Sequence, residues 1–147
     1  MPRDALAYLS DIIESCDAIS AALTGLDLEA YQRSRLVRSS VEREFIIIGE
    51  AISALSRVAP DTFASITHAR RIVDFRNQLT HEYPAVDDAL VWAVADRDAR
   101  VLRDECAALM RRMEAKGEAR SLSTRMRQWV HGFSVGAPPQ SLAAWVG

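Results

Sequence analysis

Apolar residues fall at helical spacing almost from the start of this chain. Leu6, Leu9, Ile13, Cys16 and Leu23 succeed one another in steps of three, four or their sum, which puts them on one stripe and predicts a helix over residues 3–23. Gly25 is a natural stop, and Asp27 can cap the next helix. That second, longer helix is expected over residues 28–57. Its seam of Val41, Phe45, Ile48, Ile52 and Leu55 steps by four, three, four, three, which suits near-antiparallel packing. Ile46 and Ile47 widen that seam, so this helix needs cover on more than one side, from its own bundle or from a second chain. Pro60 ends it, and residues 61–66 read as a connector or a short helical start. A third helix covers residues 67–81. Its end is sharply marked, because Pro84 cannot continue the ladder and pushes Tyr83 out of the helical region. A fourth runs over residues 87–115, capped by Asp87 or Asp88. Either Val94, Val101 and Ala108 or Leu102 and Leu109 mark its buried side.

No segment alternates with the period of a strand. Four helices with short connections predict an all-α, up-and-down four-helix bundle over residues 1–116. Residues 117–147 differ in character: they hold Gly132, Gly136, Pro138 and Pro139 and read as a basic, partly ordered C-terminal extension. Six basic and two acidic side chains lie between positions 111 and 127. A solvated helix end is the simpler reading of that run, and a helper for RNA binding is the other.

At 147 residues and 49% hydrophobic, the chain is long and apolar enough to bury a core without a metal or disulfide staple. Its net charge of -2 means that a nucleic acid would have to be held by a local patch rather than by the molecule as a whole. Cys16 and Cys106 belong to no CxxC pair or Cys/His cluster, so they predict small buried side chains and no zinc site. No run of 18 apolar residues exists and the N-terminus lacks a signal-peptide layout, so a cytoplasmic protein with no membrane span is expected.

Candidate chemistry is sparse. There is no phosphate-binding glycine loop, no GxSxG and no HExxH, and the histidines are His68, His81 and His131. His81 has the informative surroundings. Asn77, four residues earlier, shares its helical face and can orient the imidazole. Arg76, five residues earlier, sits about 140° round the helix, yet its long arm can reach a group that His81 also touches. Arg76 also has Ile72, Val73 and Leu79 as neighbours, and a charge among apolar side chains is costly unless paired or needed. An Arg and a His at a helix end suit a phosphodiester: the Arg grips the phosphate and steadies developing charge, while the His moves a proton. Such a site requires no metal and no cofactor. The same residues also fit a capping network that only holds the loop, and spacing alone leaves both readings open. His68 and His131 are read as structural.

The segment from Arg76 to Tyr83, RNQLTHEY, resembles the RNxxxHxY motif of HepT-type toxins in the HEPN superfamily. The stretch Ile47-Ile48-Gly49-Glu50-Ala51 resembles the IIGEA segment of that family's second helix, and Val86-Asp87 with Val91-Trp92 resembles the stretch after the motif. The likeness spans residues 3–113. It implies a HEPN-like bundle that cleaves RNA without metal, as a homodimer, in a type VII-like toxin-antitoxin pair. It also implies a minimal nucleotidyltransferase antitoxin that transfers AMP to the motif tyrosine. Carried over, Arg76 and His81 become the catalytic pair, Asn77 a supporting residue and Tyr83 the modification site; the role of Glu50 stays open. Nothing carries over to the extension.

A dimer has its own physical argument, since transesterification is helped by both a base and an acid and each chain offers one well-placed His. The alternative function is a non-catalytic HEPN partner that binds a nucleotidyltransferase. A purely structural bundle leaves the placement of Arg76 without a purpose.

Overall fold

The computed structural model describes residues 3–133; the side chains of Tyr83 and Phe133 fall outside that description, as does the stretch 134–147. Among the described residues every regular element is helical and no strand occurs. The chain divides into two compact units, the first ending at Arg111 and the second beginning at Arg112.

Helix α1 (Ala5–Leu23) opens on Asp4, whose carboxylate accepts the Ala7 amide at 2.9 Å. Its buried face is Leu9, Ile12, Cys16 and Ile19. The stripe is thus rotated from the expected one: Ile12 and Ile19 go inward, while Leu6, Ile13 and Leu23 sit at its half-buried margin. A helix carrying apolar residues this densely offers two overlapping stripes, and the neighbouring helix selects between them.

The expected second helix is two. Helix α2 (Leu28–Arg33) starts at Asp27, which accepts the Ala30 amide at 2.8 Å. Helix α3 (Arg35–Val58) starts afresh at Ser34, whose hydroxyl accepts the Val37 amide at 3.3 Å. Ser34 closes one helix and caps the next, a role its short polar side chain fills better than a place inside one long helix. Tyr31 on α2 is fully buried, and its ring meets Trp92 at 5.5 Å. Burial pushes the Tyr31 phenol up, with Glu42 and Asp88 adding to the shift and Arg38 opposing it.

The α3 seam is as patterned: Val41, Phe45, Ile48, Ile52 and Leu55 are all buried. Helix α1 packs along one side of α3 and α5 along another. Ile48 belongs to the chain's own core, so only Ile46 and Ile47 remain half-buried as the broad margin. A short helix, α4 (Pro60–Ala64), fills part of the connector, with Pro60 in its first turn, where a missing amide proton costs nothing.

Helix α5 (Ala69–His81) begins two residues later than expected, because His68 takes a left-handed conformation with φ 60. It ends at His81, as Pro84 predicts, and the chain turns through a 3-10 segment, Tyr83–Ala85. Helix α6 (Asp88–Ala93) is capped by Asp87, passes through a π-helical turn (Val94–Asp98) and continues as α7 (Ala99–Phe133). Val91, Ala95, Ala99, Leu102, Cys106 and Leu109 form the buried line. Of the two stripes the sequence left open, the Leu102–Leu109 one is inside, and Val101 is 57% exposed. The wide π turn keeps Val91, Ala95 and Ala99 on one face at successive steps of four. Arg103 reaches α1 through Asp17 at 2.5 Å.

Both cysteines are buried and free, and burial pushes each thiol up to about 12, so both stay protonated and inert near neutrality. The helix expected to stop near Ala115 runs on to Phe133. Gly117 does not end it, since one glycine inside a helix costs only about 1 kcal/mol relative to alanine, and its neighbours are mostly good helix formers. No helix among the described residues is long and apolar enough to cross a membrane.

Candidate active site

The candidate residues are carried by α3 and α5, and two contacts set how those helices meet. Phe45 and Phe75 pack edge to face, with centroids 5.2 Å apart and planes at 80°. One turn further along α3, Gly49 lies under the stem of Arg76. A Cβ on Gly49 would overlap Cβ and Cγ of Arg76, so the bare backbone is what allows the approach. The arm of Arg76 then passes to the next residue of α3, and its Nη1 donates to Oε1 of Glu50 at 2.5 Å.

The side chain of Arg76 is only 17% exposed, while that of Glu50 is 61% exposed. The ion pair therefore sits at the rim of the bundle, with the Arg stem inside and the carboxylate outside. An exposed carboxylate makes a weak stabiliser but a useful guide, since it costs little to desolvate and still directs the guanidinium. Arginine carries five N–H donors in a rigid fork. Glu50 takes one from Nη1, and Nε is buried without a hydrogen bond inside the chain. A phosphate brought to this edge would meet a cation already aimed and still short of acceptors.

His81 is the last residue of α5 and is exposed, as is Asn77 one turn before it. Asp74 shares their face and is exposed too. Among the described residues no hydrogen bond joins His81 to Asn77 or to Arg76. Within one chain the two principal candidates point different ways: Arg76 turns toward α3, and His81 stands open at the helix end. The helix end itself is secured by the backbone, with the Glu82 amide donating to the Gln78 carbonyl at 2.9 Å and the Ala85 amide donating to the Glu82 carbonyl at 2.8 Å. The Thr80 hydroxyl adds a bond to the Arg76 carbonyl at 2.9 Å. The backbone of Tyr83 opens the 3-10 turn directly after His81; its phenol lies outside the described residues.

A recess of about 150 Å³ lies on another side of α5, between Phe75, Gln78, Glu82, Val86 and Leu90, and includes neither Arg76 nor His81. It is smaller than the roughly 300 Å³ at which ligand pockets begin, so the motif's open surface is the better candidate for a polymer substrate. Among the described residues no three His, Cys, Asp or Glu side chains gather as metal ligands would. His68 caps the start of α5 through its backbone, and His131 belongs to the second unit.

Sequence reasoning left Glu50 without a role and gave Gly49 none. A signal for Gly49 was there to be read, since a glycine inside a helix costs about 1 kcal/mol relative to alanine and its place in an apolar stretch calls for a packing reason.

Comparison with known proteins adds independent findings. The family model described as Ribonuclease HepT-like matches residues 12–109. The chain is 28% identical over 103 residues to the protein named Putative RNase MJ1380 of Methanocaldococcus jannaschii, covering 70% of this chain and 94% of the relative. It is 26% identical over 116 residues to Putative RNase MJ1216 of the same archaeon, covering 79% and 95%. A third relative, Putative RNase TTE0752 of Caldanaerobacter subterraneus subsp. tengcongensis, is 25% identical over 85 residues, covering 58% of this chain and 75% of its own. No solved structure matches.

Proposed function

Because the chain belongs to the HepT-like ribonuclease family, we propose that it is a metal-independent endoribonuclease acting through Arg76 and His81. The observation that carries this reading is the construction around Arg76: a glycine clears its stem, a carboxylate aims its head, and an exposed histidine ends the same helix.

In the proposed reaction the ribose 2′-oxygen attacks phosphorus, a new P–O bond forms, and the bond to the 5′-oxygen breaks. One imidazole takes the proton of the 2′-hydroxyl. A protonated imidazole gives one to the departing 5′-oxygen. Arg76 holds the non-bridging oxygens and stabilises their charge in the transition state. Since each chain brings a single His81, two copies related by a two-fold axis would supply both proton-transfer groups in one groove. The half-buried Ile46 and Ile47 and the 82% exposed Leu36 supply apolar surface for such a pairing. The test is to incubate purified chain with RNA in excess EDTA and size the fragments. Cleavage that continues under chelation is expected; cleavage abolished by EDTA and restored by added metal would sink the mechanism.

The proposal extends to regulation, with the chain as the toxin of a pair and a minimal nucleotidyltransferase as its antitoxin. That partner would join AMP from ATP to the Tyr83 phenol oxygen and release pyrophosphate. Support comes from the position of Tyr83, on a turn two residues beyond His81. A phosphate attached there would compete for Arg76 and repel incoming RNA. Tyr83→Phe removes the acceptor oxygen and is expected to keep cutting RNA in the presence of partner and ATP. Intact-mass measurement checks this: a gain of AMP on the Phe variant would place the modified residue elsewhere.

A further inference from the structure

The second unit carries a pattern that the motif chemistry does not use. The family match ends at residue 109, before this unit begins at Arg112. Within α7, Ala115, Ala119, Leu122, Met126 and Trp129 step by four, three, four, three, the spacing of a coiled-coil seam. All five are exposed; Leu122 is 58% and Met126 68% exposed, and Val130 beside them is 59% exposed. A solvated helix end does not need large apolar side chains in that register.

We propose that this segment pairs with the same segment of a second copy of the chain, in antiparallel orientation. The argument rests on fit in size and charge. In an antiparallel pair, seam positions of one type face those of the other, and the flanking positions just before the first type face each other. With Ala119 set against Leu122 of the second copy, Ala115 falls against Met126, and two-fold symmetry repeats both pairs. Every one of these layers then joins one large and one small side chain. The same register puts Glu118 opposite Arg125 of the second copy, twice, with opposite charges meeting. Sliding by one heptad either way sets Arg125 against Arg125 or Glu118 against Glu118. A parallel pairing stacks Arg112 on Arg112 and alanine on alanine. Charge and volume therefore select one register among those the apolar spacing allows. Within the chain Arg125 donates to the Ser121 hydroxyl at 3.1 Å on an exposed surface, a bond that is readily exchanged for a carboxylate.

The test uses the full chain and reads mass against concentration by sedimentation equilibrium, with helicity monitored by circular dichroism. Leu122→Glu places a carboxylate in the seam and is expected to halve the mass at concentrations where the unaltered chain associates, with helix content unchanged. The comparison is made in chains that also carry Leu36→Glu and Ile47→Glu, which put carboxylates in the apolar surface offered to the catalytic pairing, so that mass reads the α7 seam alone and this proposal and the catalytic dimer stand or fall separately. Arg125→Glu turns two attractions into two repulsions and should weaken association roughly tenfold. The combined Glu118→Arg, Arg125→Glu variant restores opposite charges in the same places and should recover most of that loss. A Leu122→Glu variant with the mass of the unaltered chain at every concentration overturns the proposal. So does a double variant as weak as the single one, which would leave the orientation without support.

Discussion

Replacing His81 by alanine is expected to lower RNA cleavage by about a hundredfold or more, the scale of losing a positioned acid-base group. The fold should not register the change. His81 is exposed, ends its helix and shares no hydrogen bond with Asn77 or Arg76, while the helix end is closed by backbone bonds. Unfolding midpoints of the variant and the unaltered chain should therefore agree closely. Arg76→Ala is expected to lose about as much activity, through the phosphate it no longer holds. It should also lose stability, since its half-buried stem is packed over Gly49 and that packing is lost. The two substitutions thus differ in a second readout: activity falls in both, and stability only in the arginine variant. Cleavage at the unaltered rate in His81→Ala would end the proposed mechanism.

The second large effect is expected from one carbon atom. Gly49→Ala should destabilise the chain, although alanine is the better helix former. The helix preference favours alanine by about 1 kcal/mol. Against it stands the overlap of the new Cβ with Cβ and Cγ of Arg76, atoms at the root of a side chain that cannot swing away. Overpacking of this kind costs about 1–3 kcal/mol, because α5 must move off α3 to relieve it. A net loss of up to about 2 kcal/mol is expected, read as a lower denaturant midpoint at unchanged slope. Activity should fall further than stability alone explains, since the displaced helix carries Arg76, Asn77 and His81 together. An alanine variant as stable as the unaltered chain would show that the close approach matters less than the geometry implies.

Much of this molecule is written in local patterns. The α3 seam, the caps at Asp4 and Asp27, the stop after His81 and the burial of both cysteines each depend on a few neighbouring residues. Spacing alone predicts an all-α bundle, and the RNxxxHxY segment names its candidate chemistry. Where expectations missed, two local outcomes were close in energy. Ser34 divides one long helix into two, because a serine between helical stretches can cap as well as continue. Gly117 fails to end α7, because about 1 kcal/mol does not outweigh the helix-forming residues around it. The α1 and α6–α7 stripes were ambiguous for a similar reason: each helix offers more than one apolar face.

Choosing between such faces is a matter of what lies opposite, and that information belongs to no single segment. Packing against α3 turned Ile12 and Ile19 inward, and the π turn kept Ala95 and Ala99 in line with Val91. The same holds for the candidate site. The sequence by itself marked the candidate residues, because the resemblance to the RNxxxHxY motif singles out Arg76, Asn77 and His81 and a helix period sets them at known angles on one element. Only the tertiary structure decided that Gly49 and Glu50, some 26 positions earlier, seat and aim Arg76. A contact between distant helices depends on how closely two backbones can approach, and that distance is set by the absent side chain of Gly49 and by packing across the whole interface.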